Sequence, residues 1–333
     1  MTLRFGLLGA GRIGKVHAKA ISADAAATLV AVADAMAPAA QAIASQYGCE
    51  VRTVEAILAA KDIDAVVICT PTDTHADLIE KLAKAGKAIF CEKPIDLSLD
   101  RVKACLKVVR DTKAVLMVGF NRRFDPHFAA VKAEIIKGSL GAVEMVTITS
   151  RDPGAPGLDY IGRSGGIFRD MTIHDFDMAR FLLGEDVTEV SAMAAGLVDP
   201  AIGKAGDSDS VQVMLKTATG KMCLISNSRR ATYGYDQRIE VHGALGAVTA
   251  ENQRPFMIEV ANKLGYTRPP LHDFFMTRYT EAYANEIAAF IAAAAGKVVA
   301  SPSGEDGLAA LALAEAALKS VAERRTVKVS EVL

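Results

Sequence analysis

The apolar run Leu3–Leu8 (LRFGLL) passes directly into Gly9-Ala10-Gly11-Arg12-Ile13-Gly14, and this G-x-G-x-x-G constrains the fold more than any other stretch of the chain. The run shows little alternation, as a strand buried on both faces of a parallel sheet should. The first glycine permits a tight turn and the second lets backbone approach a pyrophosphate. The third lets the next helix sit close to the sheet, with its N-terminal N–H groups turned to the phosphates. The context completes the pattern. Arg12–Ser22 is amphipathic, and a second strand, Leu29–Ala33, ends at Asp34, twenty residues past Gly14. A carboxylate there accepts hydrogen bonds from the adenosine ribose hydroxyls. Ala35-Met36-Ala37-Pro38 offers no cation to neutralise a 2′-phosphate. NAD rather than NADP is therefore expected, held by Gly9, Gly11, Arg12, Ile13, Gly14 and Asp34.

The same rhythm continues. Helices are expected over Ala39–Tyr47 and Val54–Ala60, and a buried strand over Asp64–Cys69. The turn Thr70-Pro71-Thr72-Asp73-Thr74-His75 then starts a helix over Ala76–Ala85. Strand Lys87–Cys91 ends in Glu92-Lys93-Pro94, and helix Leu99–Asp111 with strand Ala114–Gly119 completes about six βα units, a full doubly wound sheet. Strand ends in such a sheet face the ligand crevice, which makes Thr70, Pro71, Thr72, His75, Glu92 and Lys93 candidates to touch the cofactor. Helix capping is the competing role for the threonines and His75. Pro94 restricts Lys93 to extended geometry and so fixes where its ammonium points. A lysine held beside the nicotinamide could hydrogen-bond a reacting hydroxyl.

At 333 residues the chain exceeds the roughly 250–300 at which one core stops growing, so two domains are expected. A net charge of −1 gives no electrostatic case for nucleic acid or an anionic membrane. The five cysteines are odd in number and lack C-x-x-C spacing, which suggests buried thiols in a reducing compartment. MTLRFGLLGAG lacks the features of a signal peptide, and no run approaches the roughly 18 apolar residues of a spanning helix. A cytoplasmic location is expected.

Asp125-Pro126, an N-cap acid followed by proline, starts a helix through Lys137, which sets the expected domains at 1–122 and 123–333. Ala142–Ser150 alternates as a half-buried strand, and the Pro- and Gly-rich loop Arg151–Arg163 leads to GGIFRDMTIHDFDMARFLLG at 165–184. Asp170 and His174 stand four apart, on one face of a helix, with Met171, Met178 and Leu182 on a neighbouring stripe that can bury. A carboxylate beside an imidazole makes an acid–base pair; a solvated face that also carries Asp177 is the plainer alternative. Strands follow at Glu189–Ala195, Ser210–Thr217, Lys221–Ser228, Asp236–Gly243 and Phe256–Val260, without intervening helices, so antiparallel pairing is expected. Helices Phe275–Ala295 and Gly304–Arg324 close the chain and are expected to pack back across the domains. The fold class is α/β: an N-terminal Rossmann doubly wound parallel sheet plus a C-terminal α+β domain with a large, mainly antiparallel sheet.

With these residues assembled, the chain resembles the glucose–fructose oxidoreductase/inositol dehydrogenase/MocA family. The marks are GAGRIG at 9–14, ADA at 33–35, CTPTDTH at 69–75, CEKP at 91–94, GFNRRFDP at 119–126 and the 165–184 block. The resemblance implies a catalytic Lys93, Asp170 and His174. His174 would take the hydroxyl proton, Asp170 would orient the imidazole or bind a neighbouring hydroxyl, and Lys93 would steady the oxygen. It implies NAD-dependent oxidation of a small cyclic polyol, myo-inositol being favoured over scyllo-inositol or a pyranose, with no metal and a homotetrameric assembly; a non-catalytic NAD-binding sensor is the competing reading. Asp152 and Tyr160 in the 151–163 loop, and Tyr233 near a strand end beside Arg229, Arg230 and Tyr235, are then the candidate polyol contacts.

Overall fold

The computed structural model describes residues 2–333. The chain divides into two compact units: one takes the chain up to Phe124 together with Glu281–Leu311, the other Asp125–Thr280 together with Ala312–Leu333.

The first unit is built on six parallel strands, β1 (Leu3–Leu8), β2 (Ala27–Ala33), β3 (Glu50–Val51), β4 (Ala65–Ile68), β5 (Ala88–Glu92) and β6 (Leu116–Gly119), in the order β3-β2-β1-β4-β5-β6. Helices α1 (Arg12–Ala23), α2 (Ala37–Tyr47), α3 (Val54–Ala59), α4 (His75–Lys84) and α5 (Leu99–Thr112) connect them. The strands carry continuous apolar sequence because both faces are covered: every residue of β4 is buried, and Phe5, Leu7, Phe90 and Met117 share one core with Ile287 and Phe290 of the helix Thr280–Ala294. Phe290 meets Phe5 edge-on at 5.9 Å between ring centroids. Caps set the helix starts. Thr53 accepts from the Ala56 N–H and Ser98 from the Arg101 N–H. The register aligns Leu8 with Ala33 and Ile68, Ile68 with Cys91, and Cys91 with Val118, so the carboxyl ends of the central strands form one edge.

The second unit opens with α6 (Pro126–Lys137), where Asp125 accepts from the His127 and Phe128 N–H groups and Gly138 closes the helix in the left-handed region. Asp125 is also bound on both oxygens by the buried Arg278. The chain continues through β7 (Val143–Arg151), α7 (Leu158–Ser164), α8 (Ile173–Leu183), β8 (Val187–Ala195) and α9 (Pro200–Lys204). It goes on through β9 (Ser210–Thr217), β10 (Met222–Ser228), β11 (Asp236–Gly243), β12 (Gly246–Ala250), the hairpin β13 (Val260–Asn262) and β14 (Gly265–Thr267), α10 (Phe275–Arg278), and later β15 (Val327–Lys328). Seven of these strands form a sheet ordered β12-β11-β7-β10-β9-β8-β15. One face is covered: Val146, Ile148, Val213, Leu215, Cys223 and Ile225 are buried. The other face exposes Met145, Met193, Met214, Met222 and Leu224.

The sheet is mainly antiparallel, as expected; β11 leaves β10 for the far side of β7, and one of its pairs, β7 with β10, is parallel. Three expectations are corrected. Of the expected strand Phe256–Val260, only Val260 pairs. Pro255 precedes the segment, and the Asn262 side chain accepts from the Leu264 N–H to make a turn with Gly265 at φ +105°, which shifts the pairing downstream to Val260–Asn262. The segment Phe275–Ala295 is broken at Tyr279, whose ring is buried and whose hydroxyl donates to Gln237. Asp170 lies in a π-helical turn, Phe168–Thr172, and not in the regular helix that carries His174.

Cys69, Cys91, Cys105 and Cys223 are buried and Cys49 is half-buried; none is paired. Among the described residues no helix is long and apolar enough to cross a membrane, and no group of three metal-ligating side chains forms.

Candidate active site

In the first unit the expected cofactor residues gather at the carboxyl edge of the parallel sheet. Gly9 has φ +98°, and a Cβ there would stand 2.5 Å from the Cys69 carbonyl oxygen. A Cβ on Gly14 would stand 2.0 Å from the Gly9 carbonyl oxygen, whereas one on Gly11 would meet nothing within 4 Å. The outer glycines thus close the turn against protein, and the middle one faces open space. No side chain caps α1, so the N–H groups of its first turn, at Arg12 and Ile13, are left for a ligand. Asp34 stands beside this loop, accepting from the Ala10 N–H at 2.5 Å and the Met36 N–H at 2.7 Å. These features fit a dinucleotide pyrophosphate and ribose.

The other strand-end residues divide by what they hold. Thr70 Oγ1 meets Thr74 Oγ1 at 2.6 Å, and Thr74 donates to the Pro71 carbonyl, so the turn around Pro71 and Thr72 is braced by its own hydroxyls. His75 is buried, with Nδ1 2.8 Å from the Pro94 carbonyl oxygen and Nε2 2.7 Å from that of Thr70. Both ring nitrogens are used by the protein, so His75 has none left to offer a cofactor. Glu92 Oε1 lies 2.6 Å from Nε2 of His17, a fully buried ring on α1 that sits edge-on to Phe90 and Tyr283. Lys93 itself is half-buried, and its bond to Pro94 is cis.

In the second unit, Gly165 and Gly166 take φ +82° and +81°, and the Asp207 side chain accepts from the Ile167 N–H at 3.0 Å. This glycine hinge launches the π turn. Asp170 is gripped on both oxygens: Tyr160 Oη donates to Oδ1 at 2.8 Å, and Arg229 Nη2 approaches Oδ2 at 3.4 Å. Arg229 is 1% exposed and also lies 3.9 Å from Asp207. Tyr160 is an exposed residue overall, but desolvation of its hydroxyl end and the adjacent Asp170 charge push its pKa up, so it stays a donor. His174 occupies the first turn of α8, next to Asp175, whose buried carboxylate accepts from Ser150 at 2.7 Å and Asn227 at 2.9 Å and fixes that turn to the sheet. Met171, Met178 and Leu182 are buried, as their spacing predicts.

Of the candidate polyol contacts, the structure brings Tyr160 to Asp170. Asp152 follows β7, its N–H bonded to the Ser228 carbonyl. The hydroxyl of Tyr233 belongs to a different cluster: it accepts from Arg151 at 3.0 Å and donates to the buried Asp236 at 2.6 Å. Sequence reading placed Arg229 near the polyol but missed its grip on Asp170. No local pattern links residues 59 positions apart.

Residues 3–120 match the profile of an oxidoreductase family with an NAD-binding Rossmann fold, and residues 128–249 match the GFO/IDH/MocA C-terminal domain. The chain is 74% identical over 330 residues to an inositol 2-dehydrogenase of Rhizobium meliloti, covering 99% of this chain and 100% of that one. A myo-inositol dehydrogenase structure from Corynebacterium glutamicum superposes with a TM-score of 0.95 at 43% identity, covering 98% and 99% of the two chains. A scyllo-inositol dehydrogenase from Lactobacillus casei, solved with NAD(H) and scyllo-inositol, superposes at 0.92 with 28% identity, covering 99% and 100%. With the glycine turn, the acidic strand end and the gripped Asp170 all in place, the chain belongs to the GFO/IDH/MocA family of NAD-binding oxidoreductases.

Proposed function

We propose that this protein is an NAD-dependent inositol 2-dehydrogenase that oxidises one secondary alcohol of myo-inositol to 2-keto-myo-inositol. The observation that carries the substrate is the 74% identity, end to end, with a protein named an inositol 2-dehydrogenase. When bound, NAD supplies the hydride acceptor for the carbinol C–H. The glycine turn and the α1 N-terminus hold its pyrophosphate, and Asp34 its ribose. Thr70, Pro71, Thr72, Glu92 and Lys93 border the cofactor.

His174 accepts the proton of the reacting hydroxyl as the C=O bond forms, and passing that proton on to water restores the imidazole as a free base. Lys93 hydrogen-bonds the same oxygen and favours its ionised form. Asp170, held by Tyr160 and Arg229, orients the imidazole or a neighbouring hydroxyl. Asp152 and Tyr160 contact the remaining hydroxyls. We assign nucleotide binding to residues 1–122 and polyol binding and assembly to 123–333. A homotetramer is part of this proposal. It is supported by the uncovered sheet face, where Met145 stands opposite Met222 and Met214 opposite Leu224, a broad apolar surface for a second copy. Five unpaired thiols support a cytoplasmic location.

Initial rates of NADH formation on myo-inositol, scyllo-inositol and glucose, with NAD or NADP, test the reading. Turnover confined to myo-inositol with NAD is expected. Preference for scyllo-inositol, the substrate named for the 28% identical structure, would keep the mechanism and overturn the substrate. His174→Ala should lower kcat by about 10²–10⁴ and leave NAD affinity nearly unchanged; near-full turnover would remove His174 from the mechanism.

A further inference from the structure

Lys93 sits on a backbone that is pinned on both sides by a buried histidine. On its N-terminal side, Glu92 belongs to β5, paired with Gly119 on β6, and its carboxylate is held at 2.6 Å by His17. On its C-terminal side, the carbonyl of the buried Pro94 is held at 2.8 Å by Nδ1 of His75. The second nitrogen of His75 is spent on the Thr70 carbonyl at 2.7 Å, on the preceding strand-end loop. The ring is 2% exposed, and both of its partners are pure acceptors. His75 therefore ties the end of β4 to the turn that presents Lys93.

We propose that His75 is a positioning residue for the reaction: it acts through the Pro94 carbonyl to fix the backbone from which Lys93 reaches the reacting oxygen. The inference rests on the role assigned to Lys93 above. Its mechanical content is that the Nδ1 bond matters for turnover and the Nε2 bond for the loop. The two can be separated, because an asparagine amide reproduces the place of Nδ1 and a glutamine amide that of Nε2.

The test uses full-length His75→Asn, His75→Gln, Lys93→Ala and the double variants. The readouts are kcat on myo-inositol, the NAD dissociation constant and the melting temperature. His75→Gln should lower kcat by about ten- to hundredfold, the cost of slight misplacement of a reacting group, while NAD affinity moves much less. His75→Asn should retain several times more turnover than His75→Gln at a similar melting temperature. In the Lys93→Ala background the His75→Gln loss should shrink to about twofold or less, as coupled residues require. Equal kcat for the Asn and Gln variants, or an undiminished Gln effect without Lys93, overturns the proposal while the proposed activity stands. Full turnover in Lys93→Ala itself would overturn the reading of Lys93 and this inference with it. Should His75→Gln fail to fold, His75→Asn alone decides: a kcat as low as that of Lys93→Ala overturns the proposal.

Discussion

The first and second halves of the glycine turn should fail in different ways when a single methyl group is added. A Cβ on Gly14 would lie 2.0 Å from the Gly9 carbonyl oxygen and 2.9 Å from its carbon, against a floor of 3.0 Å that real Cβ atoms respect. Relief needs a full ångström of movement, and the obstacle is backbone. It is moreover backbone that is itself locked, since Gly9 donates to the Ala33 carbonyl at 2.8 Å and sits against Cys69. The helix α1 must back away from the sheet, opening the core around Ala18 and Ile21. Overpacking of this kind costs about 3 kcal/mol, which lowers the melting temperature by roughly 6–12 °C for a domain of this size. Gly11→Ala meets nothing within 4 Å, so its melting temperature without cofactor should stay within about 1–2 °C of the parent. Its methyl group instead occupies the space where backbone must approach the pyrophosphate, and NAD affinity should fall by about tenfold or more. Thermal melts with and without NAD separate the two cases. A Gly14→Ala protein as stable as the parent, or a Gly11→Ala protein that binds NAD normally, would refute the division of labour drawn from the three glycines.

Two further outcomes follow from side chains. Asp34→Ser removes a charged acceptor, so kcat/KM with NAD should fall by about 10–100-fold, the size of a lost charge-assisted hydrogen bond, while the ratio of NADP to NAD activity rises; an unchanged ratio would dismiss Asp34 as the selector. Asp209 is buried and accepts from the N–H groups of Leu197, Val198 and Asp199 at 2.7, 2.9 and 3.0 Å. Burial alone would raise its pKa, but these donors together with Ser210 outweigh it and hold the carboxyl below its usual value of 3.8. Its stabilising contribution is therefore complete above about pH 5 and is lost as pH falls through the lowered folded value. Asp209→Asn should cost about 1.5–3 kcal/mol at neutral pH in urea titrations, and the gap to the parent should narrow on acidification; a gap that widens would contradict the sign.

The legible part of this fold is the part written in local chemistry. Continuous apolar runs mark β1, β4 and β5 because parallel strands are covered on both faces, and Asp125-Pro126 marks α6 because cap and proline act within one turn. What escaped reading depends on residues far apart in sequence. The insertion of β7 between β10 and β11 is a matter of which of several similar alternating strands find each other. The grip of Arg229 on Asp170 joins two segments that give no sign of one another. The π turn follows a visible glycine pair, Gly165–Gly166, but the carboxylate that braces its entry, Asp207, lies far along the chain. His75 was legible as a strand-end residue, but whether its ring faces a ligand or two carbonyls is decided by the tertiary course of the Pro94 turn.

The state of the thiols has a practical consequence. Burial drives the pKa of Cys69, Cys91 and Cys223 far upward and pushes that of Cys105 up to about 12, so none forms a thiolate at neutral pH. Cys49, just past the end of α2 at the β3 margin of the parallel sheet, is raised too, and it is the one cysteine that is half-buried rather than buried. A maleimide or alkylating reagent should therefore react at Cys49 before the other four, which makes that sulfur the preferred attachment point for a fluorophore on the nucleotide-binding half.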